Sequence, residues 1–513
     1  MRLALLIALL CNRWKTALSY GNGNQLMIKQ WSFPGGIALE GHKQVTEISE
    51  PTLPPELIYP LLQRSDNYAQ PIVGPGQRVL KGQIIATPQS PFATPIHAAS
   101  SGIVKAIASR IIAHPSGLED TCIIIETDGM DEANPLTPCL DYKLETPDEL
   151  RNKVAQAGIV GLGGAAFPTA EKLATGQSIH TLVINGAECE PYISCDASLM
   201  QAHAEQVIQG ALIIQYILQA KRCMIAIENT PPAVRQALLE AASRQGIQIA
   251  TVPAIYPTGG EKQLINVLTG QKIPANALPS EHGIVCQNVG TAYAVYQAIC
   301  LGLVLIERII TVTGAGIKQA KNIRARIGTP IKHLIEQCNG YNPNVQRLIM
   351  GGPMMGIALS TDDIAVTKTT NCLLAMTTSE LVQSQAPMPC IRCGDCASVC
   401  PVEILPQQLY WYSRSRQLEQ CQDHQLFDCI ECGCCDIVCP SHIPLVQFFR
   451  SAKGELIIKD QQSTQTSLAK KRYQNQQQRR AKEAQDKQAK AEKRQAAINK
   501  MKAAAAAKRK NSI

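Results

Sequence analysis

The segment CIRCGDCASVCP at 390–401 recurs as CIECGCCDIVCP at 429–440, with Cys, Cys, Cys and Cys-Pro at the same offsets. The first copy supplies Cys390, Cys393, Cys396 and Cys400, and the second Cys429, Cys432, Cys435 and Cys439. Eight soft ligands at this spacing are not a packing pattern. C-x2-C-x2-C-x3-C-P is a run that holds a [4Fe–4S] cube; when two copies are present, the fourth cysteine ligates the other cluster. Cluster one is therefore expected on Cys390, Cys393, Cys396 and Cys439, and cluster two on Cys429, Cys432, Cys435 and Cys400. Pro401 and Pro440 turn the chain away after the last ligand. The competing reading is a pair of zinc sites. Zinc motifs pair two CxxC units at a distance, and the third cysteine followed by Cys-Pro fits the cube better. Cys434 and Cys421 fall off register and are left out of both sets.

Ten of the 20 cysteines lie between Cys390 and Cys439, and the rest are scattered without a disulfide framework. In a chain of 513 residues this argues for metal ligation in a reducing compartment. Clusters carry electrons but do not supply them, so a donor site is expected upstream. The net charge of +8 is concentrated near the C-terminus, where 470–510 is rich in Lys, Arg, Ala and Gln. That stretch reads as a solvated helix or a disordered tail, with a basic arm touching an acidic partner, nucleic acid or anionic lipid as the sharper alternative; among the partners of the chain as a whole no nucleic acid is expected. The apolar run Leu3–Leu10 is short for a signal peptide, so Met27 is expected as the native start, with an export signal as the minority reading. No run reaches the roughly 18 apolar residues of a membrane span.

Along the chain, 72–107 alternates short β-type runs with Gly/Pro turns, which predicts a small all-β unit. It resembles the barrel-sandwich fold of biotinyl and lipoyl carriers, but its hairpin, PQSPFATP, carries no lysine to modify. From about residue 145, the β-type runs 181–186, 223–229, 247–254 and 283–289 alternate with helical stretches at 197–220, 232–244, 261–269 and 291–301. This predicts an α/β domain with a mostly parallel sheet. RIITVTG (308–314), a helix near 330–338 and RLIMGGPMMG (347–356) predict a small α+β domain. The expected architecture is multidomain α/β: a doubtful extension over 1–30, a barrel-sandwich-like unit over 31–130, the α/β domain over 145–305, the small domain over 308–360, a helical two-cluster domain over 373–453, and a basic tail over 460–513.

GIVGLGGAAFPTAEK (158–172) precedes TLVINGAECEPYI (181–193). Alone, its glycines are a weak phosphate-loop hint, and a tight packing turn would be the better reading. Taken with YPTGGEKQLI (256–265) and QNVGTAYAVYQAI (287–299), they resemble the flavin- and NADH-binding subunit of respiratory complex I. The resemblance is closer to the C subunit of the Rnf/Rsx electron-transport complex. WSFPGGI (31–37), VTKTTNCLLA (366–375) and the doubled cysteine motif agree with it in order, over about 31–455.

The resemblance implies FMN and NADH binding in the α/β domain, a β-grasp-like soluble-ligand-binding fold for the small domain and a ferredoxin-type fold around the clusters. By position, Gly161, Gly163, Gly164 and Lys172 match the loop on the flavin phosphate side. Asn185 and Glu188 match polar flavin contacts, Gly259, Gly260 and Glu261 the acidic loop near flavin and nicotinamide, and Asn288 and Thr291 a further flavin contact. Phe167 and Glu190 match residues at the adenosine end of NADH. Each has a bland reading: Glu188 or Glu190 as a helix-start charge, Phe167 as a core side chain. Leu162, Ala187, Gly260 and Thr175 depart from the complex I pattern, Thr175 standing where a second adenine-stacking aromatic would be.

The implied function is an NADH-oxidising, translocase-class subunit, peripheral at the cytoplasmic face of the bacterial inner membrane. It would pass electrons to membrane partners, coupled to ion movement or to reduction of a ferredoxin or redox sensor. The alternatives are the reverse path, reducing NAD from ferredoxin, and a non-enzymatic iron–sulfur conduit or scaffold. No catalytic side chain is expected, because the flavin performs the hydride transfer.

Overall fold

A computed structural model describes residues 30–64, 67–114, 116–381 and 385–510. The expected start at Met27 and the extension before residue 30 lie outside the described residues. The chain divides into two compact units. One runs as far as Gln407 and includes Phe427–Val446; the other comprises Gln408–Leu426 and the chain from Gln447 onward.

The first unit opens with two four-stranded antiparallel sheets. One orders Glu56–Pro60, Glu119–Thr127, Gly102–Ile111 and Arg78–Val79; the other orders Leu62–Arg64, Asn67–Pro71, Ile84–Pro88 and Ile96–His97. Leu57, Ile85, Ile123 and Ile125 are wholly buried, each worth about 1.5–3 kcal/mol relative to exposure. Tyr59 is buried with them, and its hydroxyl accepts the Ala99 N–H at 2.7 Å. This is the barrel-like unit expected from the β-runs.

The α/β domain carries four strands, all parallel, in the order Gln248–Thr251, Arg222–Ile227, Thr181–Gly186, Ile284–Asn288. In chain order that is 3-2-1-4, so the order reverses between Thr181–Gly186 and Ile284–Asn288. Ligands of open α/β sheets bind beyond the carboxyl ends of the strands at such a switch point. Pro232 begins the helix Pro232–Ala242, as a proline at the first helical position should. The helix expected over 197–220 is two, Cys195–Ala202 and Ala204–Leu218. His203 breaks it, stacking near Tyr293 at 5.0 Å and contacting the Arg324 guanidinium at 3.1 Å.

The small domain is a six-stranded mixed sheet with the helix Ile331–Gln337 packed against it. Its strands include Ile48–Ser49 at one edge and Cys372–Thr377 near the centre. Residues 373–377, which the sequence reading places with the cysteine region, thus belong to this sheet: Cys372, Leu373, Leu374 and Ala375 are apolar and wholly buried.

In the second unit, Phe449 and Leu409 are buried, Tyr410 meets Phe448 edge-on at 5.0 Å, and the Arg414 guanidinium lies over Tyr410 and Trp411. The basic tail continues the helix Leu445–Lys510, exposed at every described position from Ile457 on. Among the described residues, no helix is long and apolar enough to cross a membrane.

Candidate functional site

The residues singled out in the α/β domain come from four segments, and the fold brings most of them to the switch point. A side chain at Gly163 would meet Asn288 at 3.5 Å. Asn288, at the end of its strand, donates from Nδ2 to the Asn185 carbonyl at 3.4 Å and to Asp196 Oδ2 at 2.6 Å. Asn185 donates to the Gly259 carbonyl at 2.9 Å and accepts the Ala187 N–H at 2.9 Å. Two residues after Gly259, Glu261 pairs with Lys172 at 2.7 Å, both side chains about a third exposed. These contacts run through Gly163, Asn288, Asn185, the Gly259–Glu261 turn and Lys172. Within the glycine loop, Gly161 N–H donates to the Phe167 carbonyl at 2.8 Å, while Gly163, Gly164 and Ala165 are exposed. Gly164 has φ +104°, a conformation costly for other residues, and a Cβ there would meet nothing within 4 Å. The exposed backbone of Gly163–Ala165 is a donor set that fits a phosphate, while the Asn185 and Asn288 amides and Lys172 are engaged within the protein.

Three residues are engaged differently from the sequence expectation. Thr291 is wholly buried, and its hydroxyl accepts the Leu162 N–H at 2.9 Å, bracing the glycine loop from behind. Glu188 accepts from the N–H groups of Asp196 at 3.0 Å and Ala197 at 3.3 Å, and from the Cys195 thiol at 3.3 Å. It caps the helix Cys195–Ala202, which is the bland alternative. Glu190 accepts the N–H groups of Met354 at 3.1 Å and Met355 at 3.0 Å, tying this loop to the small domain.

Sequence reasoning missed the charges behind the loop. Buried Arg308 donates to the Leu162 carbonyl at 3.0 Å and also to the Lys368 carbonyl. It lines, with Asp196, Cys195 and Gly290, a cavity of about 30 Å³, room for a water or two and far too small for a flavin. Burial, and then the Glu188 carboxylate nearby, push the Asp196 carboxyl up to about 7. An isolated Asp and Arg far apart in sequence give no motif to find.

The cysteine repeat is a repeat of backbone as well as of sequence. Arg392 and Glu431, Gly394 and Gly433, and Glu403 and His442 share left-handed φ values, each pair separated by the 39 residues (429 − 390) between the motifs. The short helices Asp395–Ser398 and Cys434–Ile437 stand at the same step. Electrostatic neighbours cross between the copies. Burial and the adjacent Cys393 and Cys439 push the Cys396 thiol up. Burial pushes up Cys435, helped by Cys429, Cys432 and Cys400 after the Asp436 carboxylate. Cys400 is pushed up by burial and by Cys432, against the N–H groups of Val402, Ile404 and Glu403.

A single zinc ion with Zn–S near 2.3 Å holds its thiolates about 4 Å apart. Among the described residues, the group with ligand atoms within 4.8 Å of one another is Glu188, Cys195 and Asp196, not these cysteines. Among the described residues these cysteines thus form no closed three-ligand group of that size.

The two regions touch. Tyr256, just before the Gly259–Glu261 turn, is buried and donates its hydroxyl to the Cys432 carbonyl at 2.8 Å. The segment WSFPGGI threads between them: Ile37 exchanges backbone hydrogen bonds with Tyr256 at 2.9 Å, and Gly36 N–H donates to the Val399 carbonyl at 2.9 Å. At Gly35, φ is +64° and a Cβ would lie 2.5 Å from Val399 backbone, so the double glycine is required by close approach.

Comparison with known proteins adds to this geometry. Family models match for a RnfC barrel sandwich hybrid domain over 31–130, a Nuo51 FMN-binding domain over 154–297 and an SLBB domain over 309–358. The chain is 45% identical over 453 residues to the C subunit of the ion-translocating oxidoreductase complex of Pseudomonas aeruginosa, covering 87% of this chain and 58% of that protein. It is 45% identical over 461 residues to the same-named protein of Yersinia enterocolitica, covering 88% and 66%. The chain thus spans about three fifths of the length of the curated relatives it matches. A solved NAD+-reducing [NiFe]-hydrogenase matches at 18% identity and TM-score 0.41, over 54% of this chain and 52% of that one, too slight a likeness to bear on the fold. The order of domains, the matched models and the identity over most of the chain place it in the family of C subunits of the ion-translocating oxidoreductase complex.

Proposed function

We propose that this chain is the NADH-oxidising subunit of a membrane-bound electron-transport complex. It passes electrons from NADH by way of FMN to two [4Fe–4S] clusters and on to membrane subunits, peripherally at the cytoplasmic face. The coupled process is ion translocation or reduction of a ferredoxin or redox sensor. FMN would supply the step from hydride to single electrons, and the clusters would carry those electrons onward.

The resemblance and the cysteine spacing name the residues that would hold each group, and the contacts are compatible with them. Exposed backbone at Gly163–Ala165, with Lys172 nearby, suits the flavin phosphate; Asn185 and Asn288 suit its ring edge; and Glu261, paired with Lys172, suits ribose hydroxyls. Cluster one would take Cys390, Cys393, Cys396 and Cys439, and cluster two Cys429, Cys432, Cys435 and Cys400. The observation that carries the reading is the Tyr256 hydroxyl on the Cys432 carbonyl, which fixes the second cysteine loop to the turn that closes the switch-point site. Of the cluster-two cysteines Cys400, Cys432 and Cys435 are buried and Cys429 is half-buried, whereas in cluster one Cys393 is exposed and Cys390, Cys396 and Cys439 are half-buried. That contrast favours cluster two as the entry and cluster one as the exit.

The test is an anaerobic NADH titration of the full chain after FMN and iron–sulfur reconstitution, following flavin absorbance and low-temperature EPR together. Flavin bleaching followed by reduced-cluster signals is expected. Clusters that dithionite reduces while NADH changes neither signal would sink the reading. That result would favour an iron–sulfur conduit, a reading supported by the engagement of Glu190 with Met354 and Met355.

A further inference from the structure

The barrel-sandwich hairpin, 88–95, ends in an aromatic ring that folding does not account for. Phe92 is 51% exposed, yet its position is fixed from both sides. Gln63 Oε1 accepts from the Thr94 N–H at 3.0 Å and hydroxyl at 2.9 Å, and Ser90 donates to Asn67 at 2.8 Å. The Lys368 ammonium donates to Thr94 Oγ1 at 2.9 Å, to the Pro95 carbonyl at 2.9 Å and to the Gly158 carbonyl at 2.8 Å. Lys368 thereby joins the base of the hairpin to the start of the glycine loop, which gives the VTKTT segment its purpose. Carrying a cation this deep is costly without such acceptors.

The result of this anchoring is a ring pair. Phe92 lies 6.0 Å from Phe167, the rings tilted by 53°, and Phe167 belongs to the same loop as the exposed backbone of Gly163–Ala165. A phenyl ring left half in water forgoes burial that a core position would give it. This exposed ring, paired with half-buried Phe167 on the loop that carries the phosphate-compatible backbone, forms a platform for a flat, weakly hydrated base. We infer that Phe92, contributed by the barrel-sandwich hairpin, binds the adenine of the dinucleotide together with Phe167. The unmodified hairpin is then a nucleotide-binding element of the neighbouring domain's site. This inference rests on the dinucleotide reading above.

ADP-ribose, which carries the adenine but no nicotinamide, separates the two. Its affinity is measured by calorimetry on the FMN-loaded full chain. Phe92→Ala should weaken it about tenfold or more, as loss of base–aromatic stacking does, with FMN content and circular dichroism unchanged. Phe92→Trp should retain affinity, its indole fluorescence quenched on binding; this variant keeps the test decisive if the alanine variant folds poorly. Kinetically, Phe92→Ala should raise the KM for NADH with an artificial acceptor and leave that for reduced nicotinamide mononucleotide unchanged. Equal ADP-ribose affinity in wild type and Phe92→Ala, or no ADP-ribose binding by wild type, would overturn the inference. ADP-ribose binding without NADH-dependent flavin reduction would instead overturn only the proposed activity.

Discussion

At the scale of single residues, the switch point is organised by a charge cluster with no sequence signature. Asp196 accepts from Asn288 at 2.6 Å, and burial with the neighbouring Glu188 pushes its carboxyl up to about 7. In the unfolded chain the same carboxyl titrates near its ordinary value of 3.8. Between those values the folded state binds more protons than the unfolded state. Stability from this group is therefore complete below about pH 4 and is lost as pH rises through 7. Asp196→Asn should remove that fall. Relative to wild type it should gain of order 1–3 kcal/mol at pH 8 and little at pH 4, read by urea denaturation at both values. An equal change at both pH values would show that Asp196 does not titrate as its surroundings imply. Glu188 teaches the converse lesson about legibility. The resemblance marked it as a polar flavin contact, and the bland reading was a helix-start charge; the helix Cys195–Ala202 takes up its carboxylate, because the first N–H groups of a helix need acceptors.

At the scale of elements, the cysteine repeat was the most legible part of the chain, since ligand spacing is written directly in sequence. What the spacing leaves open is whether the fourth cysteine stays with its own copy. The neighbours of Cys396 and Cys435 point to crossing, and pairs of substitutions test it by iron content. If the sets cross, Cys400→Ser with Cys432→Ser strikes one cluster, and about four of eight irons should remain. Cys400→Ser with Cys393→Ser strikes both, and few should remain. Uncrossed sets give the opposite pattern. The parallel strands were equally legible, as short β-branched runs between helices. The strand Cys372–Thr377 was not placed with its sheet, because a buried strand carries no mark of which sheet it joins; its partners Glu307–Thr313 and Val345–Met350 lie far back in the chain. Nor could the sequence show why WSFPGGI is needed. Its glycines answer to Val399 and Tyr256, hundreds of residues away.

At the scale of the whole molecule, charge is divided between the folded domains and the tail. Lys470–Lys510 carries 15 Lys and Arg against 3 Asp and Glu, a net of +12. With +8 for the entire chain, the remainder carries −4. The helix Leu445–Lys510 is exposed at every described position from Ile457 on and so keeps no apolar face in a core. With its few apolar side chains scattered and exposed, this helix has mainly its charge with which to bind. Each Lys or Arg close to an anionic leaflet is worth about 1 kcal/mol, falling off within a Debye length. The tail should therefore hold the chain to vesicles containing phosphatidylserine at low salt and release it as salt rises. It should ignore neutral phosphatidylcholine vesicles. A chain ending at Asp460 keeps the described buried side chains of the second unit, Leu409, Phe449 and Leu456 among them. It should retain its iron and flavin while losing vesicle binding in sedimentation. If the shortened chain sediments with anionic vesicles as the full chain does, the folded domains carry the membrane contact and the tail's charge serves another partner.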